Sequence, residues 1–226
     1  MGNKVLIASA SSKKDEKDTY LYKSLKQHNE DIDITFKTDN KTGLCQVYNE
    51  ILDNEGDKYD AIIFAHDDIT IDSVNFVDRI LTSLQTYDVV GVAGGSKIKM
   101  GTPILWHLMT DRNTHSGIVF HPHHENKSFD VPTIFGPRPK EVAVLYGVFL
   151  AVNPKSLFEK EVKFDNNLTG FHHYDIKFSV DCKLAGLTLG TTDINITHQS
   201  PGLDVFDTSF KDSEKYMKEF FENLRT

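Results

Sequence analysis

Two rhythms of hydrophobicity run through the first half of the chain. "KVLIASA" (residues 4–10), "YDAIIFA" (59–65) and "YDVVGVAGG" (87–95) are short, largely unbroken apolar runs. Such runs predict strands covered on both faces of a sheet. "DIDITFKT" (31–38) alternates instead, with Ile32, Ile34 and Phe36 at period two, and predicts another strand. Between these runs the spacing turns helical. A polar stretch from Ser11 to Asp18 predicts a capped helix through about His28. Leu44, Val47, Tyr48, Ile51 and Leu52 predict one over "TGLCQVYNEIL", and Val74 to Leu84 predicts a third. Strand and helix in alternation predict an α/β fold with a parallel sheet, whose ligand crevice lies at the carboxyl ends of the strands.

The second half has another texture. Gly94 to Pro139 is rich in Gly, Pro and His, and predicts loops and small antiparallel strands forming one wall of a cleft. "EVAVLYGVFLAVN" (141–153) returns to strand character. "YDIKFSVDCKLAGL" predicts an amphipathic helix closed by Gly186. "TLGTTDINITHQS" predicts one or two short strands, and "DSEKYMKEFFENLRT" a terminal helix. No repeat or low-complexity linker divides the chain, so residues 1–226 are expected to form a single domain.

Composition narrows the function. Among 226 residues 39% are hydrophobic and 26% charged, a globular rather than disordered balance. The net charge of -8 argues against a nucleic-acid partner, because phosphate backbones attract Lys and Arg. A nucleotide held through a metal ion remains compatible with it. Cys45 and Cys182 stand far apart and suggest neither a disulfide framework nor a zinc site. No apolar run approaches the roughly 20 residues that span a bilayer. The apolar stretch at the N-terminus is too short for a signal peptide, so a cytoplasmic location is expected.

The candidate chemistry begins at "IIFAHDD" (62–68), where a buried strand runs into Asp67 and Asp68. Neighbours on a strand point to opposite faces, so both carboxylates serve one site only where the strand turns into a loop. They either cap that turn or hold a hard cation such as magnesium or manganese. His198, at a strand end before a Pro-Gly turn, is structural or a ligand for a transition metal such as manganese. Asp175 follows His172 and His173 and falls in a first helical turn. There it either meets the helix dipole or faces the cleft as a general base. His115, His121, His123 and His124 tempt a metal assignment, but Pro122 and the loop composition favour surface histidines. Trp106, in "PILWHLM", reads as a core aromatic.

Taken in order, these motifs resemble the glycosyltransferase family 2-like group of nucleotide-sugar glycosyltransferases. The resemblance runs from "KVLIASAS" to "ITHQS". "TGLCQVYNEIL" is similar to the family's Gly-Leu-…-Asn helix, and "IIFAHDDI" to its strand leading into the Asp-x-Asp signature. "LYGVFLAVNPKSL" resembles the Gly-Phe-Leu strand on the sugar and acceptor side. "HHYDIKFSVDCKLAGLTLG" resembles the Glu-Asp helix that ends in Ala-Gly.

The resemblance implies a GT-A fold: a mainly parallel, Rossmann-like sheet flanked by helices, with a small antiparallel sheet on the acceptor side. The nucleotide-binding half would cover about 1–95 and the acceptor and catalytic half about 96–226. It implies an inverting transferase using Mn2+ or Mg2+, a nucleoside-diphosphate sugar donor (a UDP-sugar) and a carbohydrate acceptor. Asp68 takes the metal position, with His198 completing the metal site. His66 stands where the signature has its first Asp, so either His66 or Asp67 contacts the nucleotide. Ala8, Ser9, Ala10 and Asp39 lie at the nucleobase side, faced by Asn49. Asp175 falls on the catalytic Asp, and Tyr174 replaces its usual Glu neighbour. Gly147, His173, Tyr174 and Trp106 fall on the substrate side. A nucleotidyltransferase fits less well, because "ASASSKKDE" has no glycine for a phosphate loop. A catalytically degenerate nucleotide-sugar or glycan-binding module is the rival outside enzymes, kept open by His66 and Tyr174.

Overall fold

The structure is a computed structural model that describes residues 3–99, 103–123, 128–200 and 206–224. The first strand, β1 (Val5–Ala10), is followed by a single helical turn at Glu16–Asp18 and by α1 (Tyr20–Leu25). The helix expected through about His28 after the polar stretch 11–18 is found, but it ends earlier, at Leu25. Thr19 is extended and its side chain accepts from the Tyr22 N–H, which starts the helix afresh there. Next come β2 (Asp33–Lys37), α2 (Leu44–Glu55) and β3 (Ala61–Ala65). All five residues of β3 are fully buried, as its unbroken apolar run predicts. β4 (Ile69–Ile71) follows almost at once and was not anticipated; α3 (Phe76–Leu84) was.

The run at 87–95 is two strands, β5 (Val89–Gly91) and β6 (Ala93–Gly95), which belong to different sheets. The middle of the chain holds α4 (Trp106–Met109) and the antiparallel pair β7 (Ser116–Pro122) and β8 (Asp130–Gly136). The run at 141–153 divides into β9 (Glu141–Val142), β10 (Val144–Leu145) and β11 (Phe149–Val152), and α5 (Pro154–Glu159) follows. Then come α6 (Tyr174–Leu184), β12 (Leu189–Thr191), β13 (Ile196–His198) and α7 (Thr208–Asn223). α6 is not amphipathic: Tyr174, Ile176, Lys177, Phe178, Ser179, Val180 and Cys182 are all buried, so it is covered on several sides. It closes as expected at Gly186, which adopts φ +83°. Gly186 N–H bonds to Lys183 O and Leu187 N–H to Cys182 O, the paired bonds of a Schellman turn.

The larger sheet runs β2-β1-β3-β11-β5-β12-β9. Strands β2, β1, β3, β5 and β12 point one way, while β11 and β9 run against them. The sheet is thus mostly parallel and flanked by helices. The smaller sheet runs β10-β6-β7-β13-β4, with β8 on β7. The chain crosses from the first sheet to the second four times, between β3 and β4, β5 and β6, β9 and β10, and β12 and β13. The core cluster is shared, from Val5 in β1 to Phe221 in α7. α7 is fastened by Lys177, whose ammonium contacts Asp165 at 3.3 Å and lies 4.3 Å from the centre of the Phe220 ring. Tyr216 donates to the same Asp165 at 2.6 Å. Among the described residues no helix is long and apolar enough to cross a membrane.

Candidate active site

β3 ends where its hydrogen bonding ends. The His66 N–H still bonds to Val148 O at 3.0 Å, and the chain then turns through Asp67 and Asp68 into β4. This turn sends the adjacent carboxylates apart. Asp67 accepts a hydrogen bond from the Ser11 hydroxyl, beyond the end of β1. Asp68 faces the other way, towards His198. The pairing of β4 with β13 brings them together: Ile69 sits opposite His198, and the Gln199 N–H bonds to Asp68 O at 2.8 Å.

Three side chains converge there. His198 Nε2 is 3.3 Å and His66 Nδ1 3.9 Å from Asp68 Oδ1, and their potential ligand atoms lie within 4.8 Å of one another. Asp68 Oδ1 is buried without a hydrogen bond of acceptable geometry; the His198 contact is close but misaligned. A buried, unsatisfied carboxylate oxygen between two imidazoles is a donor set that a divalent transition metal fits. Burial opposes the Asp68 charge, but His198 and His66 outweigh it and hold the carboxyl below its usual range. Burial, together with His198, lowers His66 to about 4, so its ring is a neutral donor near neutral pH.

The turn Tyr146–Val148, between β10 and β11, contacts both histidines of this cluster and the neighbouring Asp175. The Tyr146 hydroxyl lies 3.1 Å from His198 Nδ1, and the Gly147 N–H donates to Asp175 Oδ2 at 2.8 Å. Asp175 Oδ1 accepts from the Ile176 N–H at 2.9 Å. Even with these bonds, burial pushes the Asp175 carboxyl up to about 6. His66, Asp68, His198 and Asp175 line one cavity of about 690 Å³. Trp106 shows it an aromatic face while remaining only 5% exposed, packed on Phe135 at 4.7 Å between ring centres.

The expected site residues therefore fall into separate groups. His66 joins Asp68 and His198 at the cavity, with Gly147, Tyr174, Asp175 and Trp106. Ser9, Ala10, Asp39 and Asp67 gather at the carboxyl ends of β1 and β2. There the Asp39 N–H bonds to Lys13 O, and Ser9 Oγ is buried without a partner. Three residues are held by the scaffold, although His173 also borders the cavity. Ala8 is fully buried within β1. The Asn49 amide is used up on Phe164 and Asn166, clamping the loop before α6. His173 is 4% exposed, with its ring nitrogens on Ile104 O and the Ser213 hydroxyl, so neither is left for a sugar. Of the other histidines, His115 is buried against Thr110 rather than exposed, His121 lines the cavity, and His124 lies outside the described residues. Ser11 and Tyr146 went unnoticed in the sequence. Each sits beside a motif, Ser11 just past the first strand and Tyr146 just before Gly147.

A mostly parallel sheet with a carboxylate-bearing turn at the carboxyl end of its inner strand β3, joined to a smaller sheet that supplies the histidine, has the GT-A glycosyltransferase architecture. The chain belongs to the glycosyltransferase-like family, which it matches over residues 5–224. Among solved structures, the fold is similar to that of GalNAc-T7 with UDP, GalNAc and Mn2+, at TM-score 0.57 and 9% identity. That match covers 88% of this chain but only 44% of GalNAc-T7. A197 from STIV matches at TM-score 0.48 and 12% identity, over 90% of this chain and 98% of that protein. A search of the curated proteins gives no match.

Proposed function

We propose that this chain is a metal-dependent inverting glycosyltransferase that moves a sugar from a nucleoside-diphosphate donor, a UDP-sugar, to a hydroxyl of a carbohydrate acceptor. The observation that carries the reading is one cavity holding both a His-Asp-His donor set and a carboxylate raised to about 6. Residues 1–226 act as one unit, with the nucleotide side in about 1–95 and the acceptor side in about 96–226; the shared core supports this.

Asp68, His198 and His66 hold the cation. Two imidazoles favour Mn2+ over Mg2+, which prefers all-oxygen surroundings. When bound, the ion neutralises charge that develops on the leaving diphosphate. Asp67, positioned by Ser11, faces the nucleotide together with Ser9, Ala10 and Asp39. Asp175 accepts the proton of the acceptor hydroxyl, which attacks the anomeric carbon from the face opposite the diphosphate. The Gly147 and Ile176 N–H groups hold that carboxylate in place without satisfying it so fully that its basicity is lost. Trp106 offers the acceptor an aromatic wall.

The test is a screen of nucleotide-sugars for release of nucleoside diphosphate with Mn2+ and with a chelator. A UDP-sugar turned over only with the metal is the expected result. Tight donor binding with no turnover on any acceptor or water would instead make the chain a binding module.

A further inference from the structure

We propose that Tyr174 is a positioning residue that sets the tautomer of His66, turning the Nδ1 lone pair towards Asp68. The consequence for metal affinity rests on the metal-dependent reading above; the tautomer itself does not.

The geometry leaves one consistent arrangement of protons. The Tyr174 hydroxyl donates to the Gly147 carbonyl at 2.7 Å, and a carbonyl oxygen can only accept. Tyr174 has then spent its proton. His66 Nε2, 2.8 Å from the same hydroxyl, must supply the hydrogen of that second bond. A neutral imidazole carries one N–H, so Nδ1 keeps its lone pair, 3.9 Å from Asp68 Oδ1. That separation is too long for a hydrogen bond and suits two atoms that share a cation. Tyr174 is 3% exposed, so water does not compete for its hydroxyl.

His66 and Tyr174 are the two positions at which this chain departs from the motifs it resembles, and they touch each other. A carboxylate ligand has no tautomer to set, whereas an imidazole does. The Tyr therefore answers the His. The relay also reaches the base, because Gly147 accepts from Tyr174 through its carbonyl and donates to Asp175 through its N–H, two consecutive peptide groups. A side chain at Gly147 has no room, since its Cβ would lie 2.5 Å from the Tyr174 hydroxyl.

The experiment uses metal-free protein with 15N-labelled histidine and reads the tautomer of His66 from ring nitrogen shifts near neutral pH. Wild type is expected to show Nε2–H. Tyr174→Phe, which keeps the ring and its packing, is expected to lose that preference and to bind Mn2+ on the order of 10- to 100-fold more weakly in calorimetry. An Nδ1–H tautomer in wild type would overturn the proposal without any variant. So would a Tyr174→Phe protein that keeps both the wild-type tautomer and the wild-type Mn2+ affinity. Wild type that binds no Mn2+ would remove the metal reading, while the metal-free spectrum still decides the role of Tyr174.

Discussion

His198 Nε2 lies 3.3 Å from Asp68 Oδ1, although the two residues come from opposite halves of the chain. A three-residue strand, β4, makes this possible by pairing with β13 in the register that sets Ile69 beside His198. The metal-binding prediction follows directly. Saturating Mn2+ at about 100 times its dissociation constant should stabilise wild type by about 2.7 kcal/mol. For a chain of this size each kcal/mol corresponds to about 2–4 °C in Tm. Asp68→Asn and His198→Ala should show no Mn2+-dependent rise in Tm while keeping a folded far-UV spectrum. An equal rise in either variant would remove that residue from the donor set.

Replacing Asp175 separates chemistry from binding. Asp175→Asn removes the proposed base but keeps the size and one acceptor oxygen. Transfer should fall by about 10² to 10⁴, with donor affinity unchanged in calorimetry. Stability should change little. The ionised carboxylate sits where burial disfavours its charge, so losing it helps, and losing one backbone hydrogen bond costs about 1 kcal/mol in return. Wild-type turnover in this variant would exclude Asp175 as the base.

The pH profile has a stated sign. Asp175 is raised from 3.8 to about 6, so it is protonated below that value and unable to take a proton. The rate constant for transfer should fall on the acid side with an apparent pKa near 6, rather than near 4 as for an ordinary carboxylate. The same shift works in the opposite sense on stability: Asp175 costs folding free energy as pH rises from about 4 through about 6, because the folded state binds its proton more tightly. A transfer profile flat from pH 7 to 5, measured with metal saturating, would contradict the assignment.

Gly147 tests the linkage between the metal ligand and the base. Its Cβ would lie 2.5 Å from the Tyr174 hydroxyl and 2.6 Å from Asp175 Cβ, so Gly147→Ala must push one of them aside. Such overpacking costs about 1–3 kcal/mol. We expect a lower Tm and a larger fall in kcat than in donor affinity. A variant with wild-type kcat would show that the turn at 146–148 tolerates movement without consequence for the base.

How far these features were legible in the sequence depends on length and on crowding. β1, β3 and α2 declare themselves because enough buried residues repeat at one period. The strand at 87–95 and that at 141–153 were seen but not their breaks at Val92 and Tyr146–Val148, because each piece on either side is too short to set its own period. The break at Tyr146–Val148 is part of the site. β4 is three residues long, and its partner β13 is remote, so nothing local signals the pair. Asp68, His198 and Asp175 stand out in the sequence through motif order. That His66 lies beside Asp68 and His198, and that Asn49 and His173 bond to the scaffold, follows only from what their side chains touch.

Ser11 distinguishes the two carboxylates of the turn. Burial raises Asp67, and the Ser11 hydrogen bond opposes that shift. Ser11 also accepts from the Lys13 N–H at 3.0 Å, and Lys13 O in turn accepts from the Asp39 N–H at 2.7 Å. Ser11→Ala should therefore loosen the nucleotide side as a unit and leave Asp68 untouched. A hydrogen bond to a charged group contributes about 1.5–3 kcal/mol, or roughly 10- to 100-fold in an equilibrium constant. Donor and UDP affinity should weaken by up to that factor, while Mn2+ affinity in the absence of nucleotide stays at the wild-type value. Parallel loss of both would mean that Asp67 and Asp68 serve one site after all; loss of Mn2+ affinity alone would reverse their proposed roles.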